Sequence, residues 1–147
     1  MEKPSSQAAQ AAHVFANPSL LPAQTRLLLD PENHTALLVS LEGAALSPLF
    51  RSFPLTPSAT QVFLSLLQAY PHACSHQALF RALYPEACSP DEQAWDQEKD
   101  LAIPLIRRAL KSLLPTLRGC GLQAVALRGQ GYVLAKLSQT QEQRSRS

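Results

Sequence analysis

The sequence predicts an α+β domain in which an antiparallel sheet precedes three helices and a C-terminal β-hairpin. Three observations predict it: Leu-, Val- and Thr-rich runs around an early turn, a Thr-Pro helix start at Thr56, and two alternating apolar runs near the C-terminus. A chain of 147 residues, 46% of them apolar, can build the core of one domain. We therefore expect one domain over residues 25–137, a disordered or loosely attached arm over residues 1–24, and a polar tail over residues 138–147.

The first sheet is expected between the arm and Thr56. Two runs rich in Leu, Val and Thr flank residues 30–34, whose Asp, Pro and Asn favour a turn, so they predict a hairpin. Two shorter strands follow before the first helix. The four expected strands are Thr25–Leu29, Thr35–Leu41, a short one near Ala45–Leu46, and Arg51–Leu55. The arm allows a short helix over Ala8–Phe15.

Capping residues and proline stops predict the first two helices. Thr56 can cap the free amides of the first helix, Pro57 fits its first turn, and Pro71 ends it. Ser75 can cap a second helix in the same way, and Pro85 follows its end. A short connection between these two helices is therefore expected.

The third predicted helix has an apolar side and a basic side. Its apolar positions are Leu101, Ile103, Ile106, Leu110, Leu113 and Leu114. Arg107, Arg108 and Lys111 lie on the other side, and Pro115 is expected to end the helix. Pro104 lacks a backbone donor, so either the regular helix begins near Pro104 or an upstream segment joins it at a bend. The polar, acidic segment before it is a loop or a helical extension.

The C-terminal part of the domain has the pattern of a hairpin. The runs Leu122–Leu127 and Gly131–Leu137 are rich in apolar residues on either side of an Arg-Gly-Gln-Gly turn. We expect Gly129 and Gly131 to adopt a positive φ or a close backbone approach at the tip, because glycine does this at low cost.

Charge is unevenly distributed, although the net charge is only +2. The charged residues from Glu86 to Glu98 are all acidic, whereas those from Lys99 to Lys136 are basic apart from Asp100. An anionic partner should meet the basic stretch. Three cysteines are an odd number for a disulfide framework and are typical of a reducing compartment. With neither a signal-peptide pattern nor a membrane-spanning stretch, the sequence predicts a cytoplasmic protein.

Metal-binding and catalytic patterns are weak in this sequence. The group nearest to a metal motif is His72, Cys74, His76 and Cys88. It lacks the paired ligand spacing of a zinc site, and Cys74 is interpreted as a buried thiol. The sequence has no nucleophile elbow, phosphate loop or paired-carboxylate motif, and its Gly-Gln-Gly lies in a hairpin rather than between a strand and a helix. We therefore expect binding without catalysis, metal or cofactor.

Several local motifs occur in a recognisable order. They are Leu55-Thr56-Pro57-Ser58, Leu83-Tyr84, the pair Asp100-Leu101-Ala102-Ile103 and Ile106-Arg107-Arg108-Ala109-Leu110, and Arg128-Gly129-Gln130-Gly131-Tyr132. They resemble, in turn, the start of the first helix, the end of the second, the recognition helix and the wing of the OmpR/PhoB-type winged-helix domain. The similarity runs from about Thr25 to Lys136, which is most of the chain.

This resemblance implies a winged helix-turn-helix that binds double-stranded DNA and controls transcription, as a homodimer or in a complex. Arg107, Arg108 and Lys111 would lie at the major groove, and Arg128 and Gln130 would lie on the wing. No receiver domain precedes the match, so control by phosphorylation of the usual kind is not expected.

Three residues of the recognition helix depart from the family pattern, and one of them is Ala102, which replaces a residue that is often polar. Pro104 and Leu105 stand where the family commonly has Arg or another polar residue, and neither side chain can donate a hydrogen bond to a base. The alternative function is therefore a winged-helix protein-interaction module that contacts its partner through Trp95, Pro104 and Leu105. Trp95 lies in an acidic segment, where it either docks a protein such as a polymerase subunit or folds back over the helices.

Overall fold

The computed structural model describes residues 13–40, 49–85 and 92–137. The expected strand near Ala45–Leu46 lies outside these residues. Within them, four strands are followed by three helices and a two-stranded hairpin, which confirms the predicted α+β winged helix-turn-helix layout. The elements are β1 (His13–Phe15), β2 (Thr25–Asp30), β3 (Thr35–Ser40), β4 (Leu49–Pro54), α1 (Pro57–Ala69), α2 (His76–Leu83), α3 (Glu92–Gly119), β5 (Leu122–Leu127) and β6 (Gly131–Lys136).

The first four strands form one antiparallel sheet in the order β1-β2-β3-β4. In β2, Leu27 and Leu29 are buried while Arg26 is exposed, as the side-chain period of two requires for a sheet with one buried face. The β2–β3 turn is held by Asp30, whose carboxylate accepts hydrogen bonds from the Glu32 and Asn33 backbone amides and from the Asn33 side chain. The hairpin expected from the Asp-Pro-Glu-Asn-His segment is thus confirmed.

The N-terminal segment is the first place where the structure differs from the expectation. His13–Phe15 is a strand paired with β2, not part of a helix, and the folded structure therefore begins before Thr25. Leu20 and Leu21 are only 4% and 2% exposed, because a turn at Asn17 directs them onto the core. A strand of three residues is too short to show the alternation of apolar and polar side chains that identifies a strand, so the sequence pattern does not distinguish it from the arm. The remainder of the expected Ala8–Phe15 helix lies outside the described residues.

The start of α1 is fixed by its cap. The Thr56 Oγ1 accepts a hydrogen bond from the Ala59 backbone amide at 3.1 Å, and Pro57 occupies the first turn, as predicted. The helix ends at Ala69, and its buried face packs Phe63 and Leu66 into the core.

Thr56→Ala should lower the free energy of unfolding by about 1 kcal/mol, because it leaves an amide of the first turn without its partner. Chemical denaturation at equilibrium measures the change. Ser58→Ala removes an exposed hydroxyl from the same turn and is the matched control. Equal stability of the two variants would contradict the capping role.

Helix α3 is longer and more continuous than expected. It runs for 28 residues from Glu92 to Gly119 and contains both Pro104 and Pro115, so Pro115 does not end it. Both proline rings lie on the exposed side, and each removes only its own backbone donor. The buried side chains of Ile106, Leu113 and Leu117 hold the helix against the core through both sites. Of the two interpretations left open for the acidic segment, the helical extension is the one observed from Glu92 onwards.

The end of α3 is fastened to the sheet. Arg51 Nη1 on β4 donates a hydrogen bond to the Gly119 carbonyl oxygen at 3.0 Å, and the Arg51 guanidinium lies over the Phe53 ring. A Cβ atom at Gly119 would overlap that ring, so any other residue at this position requires the Phe53 side chain to shift. Gly121 follows with a φ of 77°, a conformation typical of the residue after a helix.

The sheet, the three helices and the hairpin contribute to one apolar core. The fully buried large side chains at its centre include Leu27, Leu29, Phe63, Leu79, Ile106, Leu113, Leu117, Leu122 and Leu134. In the part of the chain that the structure describes, none of the helices combines the length and apolarity needed to cross a membrane.

Candidate nucleic-acid interface

The hairpin of β5 and β6 forms a wing beside the helices. Gly129 and Gly131 have φ values of 73° and 113°, which confirms the expectation of positive φ at the tip. The turn closes with a hydrogen bond from the Gln130 amide to the Leu127 carbonyl oxygen at 2.9 Å. The side chains of Arg128 and Gln130 are exposed there.

The wing is attached to the connection between α1 and α2. The Cys74 amide donates to the Tyr132 carbonyl oxygen at 2.7 Å, and the Tyr132 amide donates to the Cys74 carbonyl oxygen at 3.0 Å. This bridge places the Cys74 backbone directly against Gly131. The Cys74 side chain is 6% exposed and burial raises the pKa of its thiol, which confirms the interpretation as a buried thiol. The pairing fixes the wing relative to the helix-turn-helix.

The histidines that suggested a metal motif lie in different environments. His72 is exposed, whereas the His76 ring lies edge-on to Tyr132 with ring centres 5.3 Å apart. Cys88 lies outside the described residues. Across residues 13–40, 49–85 and 92–137, no three His, Cys, Asp or Glu side chains are grouped as metal ligands would be.

The cations of α3 share an exposed face. Arg107, Arg108 and Lys111 are all exposed, and Lys111 follows the two adjacent arginines by four and three residues, so the three lie on one side of the helix. Ile106 and Leu110 of the same turns are buried on the opposite side. Within the described residues, none of the three cations has a carboxylate within 4.0 Å. All three side chains are exposed, so an external anion can reach them from solvent.

The same face of α3 adjoins the wing. Arg107 and Lys111 line a shallow hollow of about 220 Å³ with Tyr132 of β6. Towards the start of the helix, a second hollow of about 300 Å³ is lined by Lys99 and, from the wing tip, Gln130. The structure thus places Arg107 and Lys111 beside strand β6 of the wing, and Lys99 beside the wing tip. Lys99 was not among the predicted site residues, although the switch from acidic to basic residues at position 99 indicated it.

The three residues predicted to contact a protein partner do not form one exposed patch. Trp95 belongs to helix α3 rather than to a loop, and its half-buried ring packs on Phe80 with ring centres 6.0 Å apart. Leu105 is half-buried against the core, and only Pro104 is exposed. The exposed apolar side chain of this region is Leu101, which is 70% exposed and lies one helical turn before Pro104. Leu101 and Pro104 are three residues apart, and this spacing was the feature of the sequence that could have placed both on one side of the helix.

His76, at the first position of α2, lies near Arg107 of α3 and contacts Tyr132 of the wing. Burial lowers the pKa of its imidazole, and the nearby Arg107 guanidinium lowers it further. The folded state therefore favours the neutral ring, which packs against Tyr132.

We expect His76 to make the protein less stable in mild acid. Because the pKa of His76 is lower in the folded chain than its ordinary value of 6.5, its stabilising contribution is complete above that value. The contribution is lost as the pH falls below 6.5 through the folded pKa. The free energy of unfolding of His76→Gln should therefore fall less between about pH 7.5 and about pH 5 than that of the wild type. His72→Gln, which changes an exposed histidine, should behave as the wild type, and identical pH profiles for all three proteins would refute the assignment.

No protein-family model matches this chain, and no curated protein sequence matches it.

Proposed function

We propose that this chain is a DNA-binding transcriptional regulator of the OmpR/PhoB winged-helix type, acting in the cytoplasm. The observation that carries the proposal is the exposed face of α3 formed by Arg107, Arg108 and Lys111, with Arg128 and Gln130 exposed on the adjoining wing. A major groove about 12 Å wide admits one α-helix, and cations on the sides of that helix then meet the phosphates that border the groove.

The proposed contact is mainly with the phosphate backbone. Pro104 occupies the exposed position one turn before Arg107 and Arg108, and its side chain cannot hydrogen-bond to a base. Ala102 is fully buried and Leu105 packs against the core, so these departures from the family pattern do not remove further contacts from the exposed face. We expect salt-dependent and weakly sequence-selective binding, in which groove shape contributes more than base readout.

One observation favours the alternative of a protein-interaction module. Leu101 is 70% exposed beside Pro104, and this pair places apolar surface where a base-reading helix has polar side chains. Such a module would use Leu101 and Pro104 as the contact, with Arg107 and Arg108 at its rim.

The deciding experiment measures binding of the purified protein to a fluorescent random-sequence duplex at about 50 mM and about 200 mM salt. With up to four phosphate contacts from Arg107, Arg108, Lys111 and Arg128, the slope of log affinity against log salt should reach about −3.6. Leu101→Gln should leave this slope unchanged, because it neither removes a cation nor adds a charge. Absence of DNA binding at the lower salt concentration, or a salt-independent affinity, would refute the DNA-binding proposal. Loss of a co-purifying protein in Leu101→Gln alone would support the alternative.

A further inference from the structure

A cavity of about 210 Å³ lies between the N-terminal segment, helix α1 and the base of the wing. Its wall is built mainly from leucines of four separate parts of the chain, and all of them are buried. These leucines are Leu20, Leu21, Leu27, Leu67 and Leu122. Asn17 and Tyr70 are the lining residues with polar side chains. The cavity is remote in sequence from the cations of α3, and it shares no lining residue with the two hollows beside them.

This cavity is open to solvent on one side, and buried leucines form its inner wall. An apolar cavity of about 150 Å³ lined by Leu, Ile and Phe stays dry and binds benzene. The present cavity is larger, but it is open on one side and has Asn17 and Tyr70 in its wall besides five leucines; a small ring system placed against those leucines would gain contacts that water cannot supply.

We infer that this cavity binds a small, uncharged aromatic molecule of about the size of indole, with its ring between the leucines and a single polar group towards Asn17 or Tyr70. None of the described residues that line the cavity is charged, so a charged ligand would enter without a counter-charge and at a high desolvation cost. Val14 and Ala16 are exposed members of the wall, and entry past them requires no unfolding of the core.

The direct test is a calorimetric titration of the full chain with indole, benzene and benzoate. Indole and benzene should bind saturably, whereas benzoate, of similar size but charged, should not. In methyl-resolved NMR spectra, indole should shift the methyl signals of Leu20, Leu21, Leu67 and Leu122 and leave those of Leu79 and Leu113 in place. Methyl shifts confined to residues that do not line the cavity, or no saturable binding of either neutral ring, would overturn the inference.

A filled cavity provides the second arm of the test. Ala16→Trp should place a large ring at the wall and weaken indole binding at least tenfold. Ala78→Trp, at an exposed position of α2 outside the cavity, is the matched control and should bind as the wild type does. Equal affinities in the two variants would contradict the proposed location. Should Ala16→Trp not fold, the methyl shifts of the wild type decide the matter alone.

Discussion

Changing Arg107, Arg108 and Lys111 together to alanine should flatten the slope of log DNA affinity against log salt by up to about 2.7 units. Each cation that neutralises a phosphate releases condensed counterions, and three such contacts would be lost. The three side chains are exposed on one face of α3, and none has a carboxylate within 4.0 Å in the described part of the chain. Their removal should therefore change binding much more than folding. Fluorescence anisotropy across a salt series measures the slope.

The control for this variant has the same net charge. Changing Arg26, Arg81 and Lys136 to alanine also takes the net charge from +2 to −1, because three positive charges are removed in each case. These residues are exposed on β2, on α2 and at the end of β6 away from the wing tip. If overall charge alone drives binding, both triple variants should lose the same slope. A loss confined to the α3 variant would locate the contact on that helix, and an unchanged slope there would refute it.

Gly131→Val should lower the free energy of unfolding by about 3 kcal/mol or more. Two effects combine at this position. Its φ of 113° is strained for any residue with a side chain, and a Cβ there would overlap the Cys74 carbonyl oxygen and lie 2.7 Å from the Ser75 Cα. The overlap falls on backbone atoms of the bridge between the wing and the α1–α2 connection, which cannot move aside without breaking that bridge.

Gly129→Val isolates the first of these effects. Gly129 has a similar positive φ of 73°, but a Cβ at this position would have no neighbour within 4 Å. We expect a loss of only about 1–2 kcal/mol from backbone strain. Thermal or chemical unfolding of the two variants measures the difference. Equal losses of unfolding free energy in the two variants would show that the close approach of Gly131 to the Cys74 backbone does not restrict the residue type at position 131.

The features that could be predicted from the sequence are those that arise from local contacts. The caps at Thr56 and Ser75 each satisfy an amide three residues away, so residue type and spacing were enough to locate both helix starts. The tip of the wing is similar, because the positive φ of Gly129 and Gly131 follows from the turn itself. The exposed cations of α3 were also identified from local spacing.

The features that could not be predicted depend on distant contacts. Helix α3 continues past Pro115 because Leu117 is buried and because Arg51, 68 residues away from Gly119, holds its end. For Trp95, the sequence left open whether it docks a partner or folds back over the helices, because its acidic neighbours do not indicate that Phe80 contacts its ring. The exposure of Leu101 could not be predicted either, because tertiary packing decides which side of α3 faces the core.

Arg51 also puts a charged residue on an outer strand of the sheet. In the described sheet, β4 and β1 are the outer strands, and an unpaired strand edge is a template for addition of another chain. On β4, Arg51 is exposed and its guanidinium is held by the Gly119 carbonyl oxygen and the Phe53 ring, and a charged residue in an outer strand disfavours such addition. At the other edge, the described part of β1 has three residues. The chain should therefore resist edge-to-edge aggregation even at the high concentrations used for crystallisation.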